Sequence, residues 1–414
     1  MNLRPTRLLL ILAVLVLFAT ACGSGDDGAS VREIGTEEGS ASASGSGSGS
    51  GSASGSGSAS ASGSASAPAS GSGSATSSGS ATGEAPATGD APAEDTTGMD
   101  EGGYTYASNV AAHRLVTRDV CEINELLDAE EIDFDAVTAI YAEGGNSVNS
   151  DGSIRSLGGF ATAEDRLHGL ADHYGTATPL DDFVTAALEG SGPFEGAADA
   201  VRRQGVQKGI QNQVMVAWTV HELNAALEKA EAGEFDPAEG APHNWDEAWA
   251  FYHGAEPGCS AYASGDKRAE NFGTLAADGT TARANEAILT AMNVGRDALL
   301  AEDADGAIAA ADEVIGNLVI IYSQAAIRYA SVVMDDVESG DSESAAIHQA
   351  EGLSFFRVIE PIVAEAGADV EAINAVFDLA SEPGSAGGED EVRAALQPAF
   401  DALSIDDEDI GELQ

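Results

Sequence analysis

The chain has 414 residues, 69 of them acidic and 18 basic, giving a formal charge of −51 at pH 7 with histidine neutral. A field of that sign repels nucleic acid and anionic headgroups, which excludes polyanionic partners and nucleic acid among them. The commoner origin of such an excess is a solvated surface suited to salty surroundings, with cation capture the second.

In chain order, the first element is a basic stub with Arg4 and Arg7, followed by an apolar run from Leu8 to Phe18 and then Ala19-Thr-Ala-Cys22. These are the parts of a secretory signal, too short to span a bilayer, and residues 1–21 are assigned to it. Small residues ahead of Cys22 resemble a bacterial lipobox, in which that thiol takes a lipid and anchors the mature protein to the membrane on its extracytoplasmic face. Ala19 stands where Leu is usual. Plain cleavage after Ala-x-Ala is the alternative, and both cut the same bond. Residues 22–103 form the next segment, almost wholly Gly, Ser and Ala from Gly39 to Gly83. A stretch without apolar periodicity cannot offset its ordering entropy, and about seventy-five such residues give a flexible tether of roughly 50 Å.

From Tyr104 to the C-terminus Ala, Leu, Val and Glu dominate, with apolar residues at helical spacing, as in Val214-Trp218-Leu223-Leu227. Residues 104–414 are therefore expected to be an all-α domain of about ten helices. A weak repeat recurs in which a helix, a polar break and a second helix with an aromatic form an αα-hairpin. The copies pair a helix ending near Leu127 with Asp135–Tyr141, Val214–Ala232 with Asp246–Tyr252, and Val319–Glu338 with Glu351–Arg357. The first two continue into loops carrying Arg155 and Lys267-Arg268. Duplicated hairpins predict two related lobes with a cleft as the natural ligand site. With Cys22 lipidated, Cys121 and Cys259 remain as an even pair in a disulfide-permissive compartment; a bridge between them would stabilise the fold by about 3–5 kcal/mol, and two separate buried thiols are the alternative.

The stretch His243–Gly254 is the richest in chemistry. On a helix, Trp245, Trp249 and Tyr252 share a face, and Asp246 lies two turns before His253. The hairpin pattern sets this helix beside His221-Glu222, so that His221, Glu222, Asp246, Glu247, Tyr252 and His253 form a candidate metal site. Imidazole, carboxylate and phenolate together suit iron in either oxidation state. The plain alternative is an aromatic core with hydrogen-bonded histidines at a helix end. In the third hairpin His348 and Glu351, three apart on one helix face and with Tyr322 across from them, are a weaker ligand pair. Arg328 and Arg357 there take the places of the two histidines and read as a clamp for a carbonate-like anion, or as salt bridges to Asp335 and Glu360. Nucleophile elbows, phosphate loops, dinucleotide fingerprints, His-Glu-x-x-His and Cys-x-x-Cys do not occur, so no enzyme is expected.

The segments Asn244-Trp-Asp-Glu-Ala-Trp-Ala-Phe-Tyr-His-Gly254, Ile320-Ile-Tyr-Ser-Gln-Ala-Ala-Ile-Arg-Tyr329 and Glu351-Gly-Leu-Ser-Phe-Phe-Arg-Val-Ile-Glu-Pro361 resemble the low-iron-inducible periplasmic proteins of algae and some bacteria. The resemblance spans most of Tyr104 to Pro361. It implies a secreted or surface protein of iron acquisition that binds ferric iron with carbonate; the expected role of this chain is to capture iron and pass it to a transporter. Asp246, Glu247, Tyr252 and His253 are the better ligand candidates in its light. A second likeness, to imelysin-like iron-uptake lipoproteins, is weaker, because Ala346-Ile-His348-Gln-Ala-Glu351 lacks the Gly of their Gly-x-His-x-x-Glu motif. The rival from another class is a helical-hairpin surface scaffold that binds a partner protein without metal.

Overall fold

The computed structural model describes residues 94–163 and 169–414, so the expected signal sequence, Cys22 and most of the expected tether lie outside the described residues. The fold is all-helical, with two minimal antiparallel hairpins, Asp100–Glu101 with Tyr104–Thr105 and Ser147–Val148 with Ile154–Arg155, as its only strands among those residues. No described helix is long and apolar enough to cross a membrane. The folded unit takes in Glu94 onward, ahead of the Tyr104 boundary that composition suggests. The reason is polar anchoring that hydropathy does not register: the Thr96 hydroxyl donates to the Ser108 carbonyl, and Glu101 accepts from Tyr106 and pairs with Arg114.

All three expected hairpins form. Val116–Leu127 packs on Phe134–Glu143, Met215–Glu231 on Ala241–Tyr252, and Ala304–Ser339 on Ser342–Glu365. The last pair shows the local logic. Asp303 caps the 36-residue helix by accepting from the Gly306 amide, Gly340 ends it at φ +79°, and Asp341 caps the next by accepting from the Ser344 amide. Side-chain acceptors satisfy amides that a helix start leaves orphaned, and glycine takes the left-handed turn without a Cβ penalty. The surplus over about ten helices comes from short ones such as Leu157–Ala161, below the length at which periodicity is readable. Lys267-Arg268 lies within the helix Ala261–Phe272 rather than in a Gly-rich loop. Asp199–Lys208 runs into Met215–Glu231 through a buried π-helical turn, Gly209–Val214; such turns rotate the helix face and are frequent at functional sites.

There are two hydrophobic clusters among the described residues, one containing Trp245, Trp249 and Tyr322, the other Phe160, Trp218 and Phe251, and the second hairpin contributes to both. Both draw on Ala241–Tyr252, whose residues are all buried except His243. Each buried indole donates to a carbonyl: Trp218 to Phe160, Trp245 to Met292 and Trp249 to Glu101. Gly295 permits this packing, since a Cβ there would lie 2.0 Å from Cζ2 of Trp245. Cys121 and Cys259 are bridged, with a Cα separation of 5.3 Å, tying the Val116–Leu127 helix to the turn after Ala241–Tyr252.

Candidate metal centre

A helix buried on every side leaves its polar residues no water, so Asn244, Asp246 and Glu247 must find partners in the protein. Glu247 lies between two histidines. His113 Nδ1, from the short helix Ala111–Arg114, is 3.0 Å from Glu247 Oε1, and His243 Nε2, one turn earlier on the same helix, is 3.1 Å from the same oxygen. Asn244 Nδ2 is 2.6 Å from Glu222 Oε2 and 3.5 Å from Glu247 Oε2, which joins the second carboxylate to the group. Asp246 faces the other way: Tyr104 Oη–H donates to Oδ1 at 2.6 Å, and the amide and hydroxyl of Ser108 donate to Oδ2 at 2.7 Å each. Its work is to dock the N-terminal segment.

Proton positions follow from this wiring. Because the Ser108 hydroxyl gives its hydrogen to Asp246, its oxygen accepts from His243 Nδ1, 3.0 Å away. His243 therefore carries its Nδ1 proton, and its Nε2 is the atom that presents either a second proton or a lone pair to Glu247. Burial lowers the basicity of His243, but the hydrogen bond and charge of Glu247 outweigh it and the pKa is raised. Burial alone pushes Glu247 up, yet His113 and His243 hold it well below the usual carboxylate range. His113 is lowered, because its burial outweighs the pull of Glu247. The resting centre is an ionised Glu247 with a neutral His113 that donates from Nδ1, and with a His243 that holds its second proton to higher pH than a free imidazole does. His243 is its opening to solvent, with 23% of the side chain exposed.

The constellation read from the sequence is thus divided. Glu222, Asp246 and Glu247 join one polar network, and His221 sits at its edge with Nε2 4.0 Å from Glu222 Oε1. Tyr252 and His253 do not join it. The Tyr252 hydroxyl donates to Asn285, and the His253 ring lies stacked 5.0 Å from Trp249, edge-on to Tyr262, with Nδ1 at the Gly254 carbonyl and Gly102 over Nε2. Periodicity set Asp246 and His253 two turns apart on one helix, but different elements cover the two ends. His113 and His243 were missed. The second had a visible signal, His243 and Glu247 being four apart; the first had none, since nothing local to a four-residue helix announces a partner so far along the chain.

The third hairpin holds ordinary pairs: His348 Nδ1 with Asp336 at 2.6 Å and Lys208 with Glu351 at 3.6 Å, while His348 Nε2 stays 4.0 Å from Glu351. Tyr322 points elsewhere, donating to Asn212. Arg328 lies by the Tyr329 ring and Arg357 between Tyr174 and Phe183, so they make no common clamp; Glu360 is engaged by Tyr174 and Asn374. Among the described residues no group of three or more His, Cys, Asp or Glu side chains forms a ready-made metal cage. In the Glu247 centre both imidazole nitrogens point at the carboxylate oxygen itself, so a cation must displace protons to enter.

Fold and site together define an all-helical, disulfide-bonded domain with a buried imidazole–carboxylate centre under a partly exposed histidine. The chain belongs to the low iron-inducible periplasmic protein family, whose model matches residues 77–414. No curated protein and no solved structure matches it significantly.

Proposed function

We propose that this protein binds iron outside the cytoplasm in the service of iron acquisition, with His113, His243 and Glu247 as its ligands, and that a lipid on Cys22 tethers it while it hands its cargo to a transporter. The observation that carries the reading is the spacing of the two imidazole nitrogens, 3.0 and 3.1 Å from one carboxylate oxygen. Neighbouring ligands about 2.1 Å from an octahedral ion stand about 3.0 Å apart, so the nitrogen-to-oxygen spacing suits a cation once the imidazoles give up the shared protons and turn from the oxygen. Mixed nitrogen and oxygen donors suit iron, and the ring of His243 is already oriented from behind by Ser108 and Asp246, as outer-shell partners orient metal-bound histidines. The acidic surface raises the local cation concentration and leaves selection to these donors.

The test is elemental analysis of native protein followed by titration with ferric and ferrous iron, with and without bicarbonate. A His113→Ala, His243→Ala variant should lose at least about tenfold in affinity, roughly 1.4 kcal/mol, whereas His253→Ala should retain it. Iron-free native protein that takes up neither ion, or a double variant that binds as the wild type does, refutes the proposal and favours the scaffold reading.

A further inference from the structure

Arg357 is a cation without an ion pair. In a chain with 69 acidic residues and 18 basic ones, its guanidinium has no carboxylate at ion-pair distance among the described residues. Its hydrogen bonds are two, from Nε to Gln213 Oε1 at 3.3 Å and from Nη2 to the Pro179 carbonyl at 3.4 Å, out of five N–H groups that a guanidinium offers. Glu360, the acid nearest in sequence, is occupied by the Tyr174 hydroxyl at 2.8 Å and by Asn374 at 2.6 Å.

The group is nevertheless held in place. Its carbon lies 4.1 Å from the centre of the Tyr174 ring and 4.6 Å from that of Phe183. The π-helical turn delivers Gln213, whose amide is oriented because Nε2 donates to the Ser354 carbonyl at 3.0 Å, leaving Oε1 for the arginine. Pro361, four residues on, has no N–H for the Arg357 carbonyl, and the Tyr174 hydroxyl approaches that carbonyl at 3.3 Å instead. Such fixing without an anion is how recognition arginines are prepared.

Arg357 lines a cavity of about 80 Å³. Apart from Arg357, Gln213, Tyr174 and His221 its walls are hydrocarbon, supplied by Val216, Val220, Val358 and Ile362 among others. At about 10–15 Å³ per water-sized group, it has room for roughly five to eight such groups. An inorganic oxyanion would leave the aliphatic wall unused, and a neutral apolar molecule would leave the cation unmatched. We propose that this cavity binds a short-chain aliphatic monocarboxylate, its carboxylate on Arg357 and its hydrocarbon against Val216, Val220, Val358 and Ile362. His221, at the edge of the Glu247 network, also borders the cavity, but the proposal does not rest on the iron reading.

Isothermal titration of the iron-free, full-length protein with butyrate, butyramide and bicarbonate decides it. Butyrate should bind saturably, and butyramide, of the same shape without charge, about tenfold more weakly or worse, roughly 1.4 kcal/mol. Arg357→Gln should weaken butyrate by a similar factor, and Ala217→Leu, which fills the cavity and keeps the arginine, should abolish binding, with circular dichroism confirming that both fold. Absence of butyrate binding, equal affinity for butyrate and butyramide, saturation by bicarbonate alone, or two folded variants that bind as the wild type does each overturns the proposal. The comparison of butyrate with butyramide on the wild type stands even where a variant fails to fold.

Discussion

Replacing Glu247 by Gln keeps the shape of the buried centre and removes its charge. The carboxylate accepts from two imidazoles and is nearly inaccessible, while His243 retains partial access to solvent. Hydrogen bonds to a charged group contribute about 1.5–3 kcal/mol each, but His243 can shed its proton once its partner is neutral, which caps the loss. Glu247→Gln should therefore cost about 3 kcal/mol where His243 is charged and distinctly less where it is not. The sign follows from the two shifts. The pKa of His243 is raised above its ordinary 6.5, so its contribution is complete below that value and is lost as pH rises through the folded-state pKa. That of Glu247 is depressed below 4.5, so its contribution is complete above that value and is lost as pH falls through the folded-state pKa. The pair is worth most between the two ordinary values. Urea unfolding of both proteins at about pH 5.5 and about pH 8.5 measures this as a difference of differences. A cost that is the same at both pH values, or below about 1 kcal/mol at the lower one, would show that the Glu247–His243 pair carries no net charge attraction.

Iron affinity should fall as pH drops through the raised pKa of His243, because a proton then holds the Nε2 that the ion needs; titrations at about pH 5.5 and 7.5 read this as at least about a tenfold difference, and a flat profile argues for ligands other than His243. Cys121→Ser with Cys259→Ser releases a loop of 138 residues, for which loop entropy gives about 5 kcal/mol; denaturant midpoints should drop accordingly, and reductant should reproduce the drop in the wild type. Gly295→Ala drives a methyl group into the Trp245 ring and should cost about 1–3 kcal/mol, seen as a lower melting temperature with unchanged helical content by circular dichroism.

Much of the helical framework was readable because periodicity is a local property. The αα-hairpins around Tyr141, Trp245 and Phe355 announce themselves by apolar spacing and by Gly340-type breaks. The folded unit nonetheless begins earlier than composition suggests, because Thr96 and Glu101 are held by polar contacts that hydropathy does not weigh. The site was legible in part for the same reason. Glu247 and Asp246 stand out as acids in an otherwise apolar helix, but Glu247 belongs with His113 and His243, and Asp246 holds Tyr104 and Ser108.

The sequence by itself determined that this is a strongly acidic chain with a helical domain, aromatic core helices and, beyond Tyr104, one pair of cysteines. Tertiary structure alone decided which element covers each helix face, and with it that His253 is stacked away on Trp249, that His113 meets Glu247, and that Arg357 lines a largely aliphatic cavity. Helical spacing states the side of the cylinder on which a residue stands. The partner opposite it arrives from a distant part of the chain by the packing of whole helices, which no local pattern encodes.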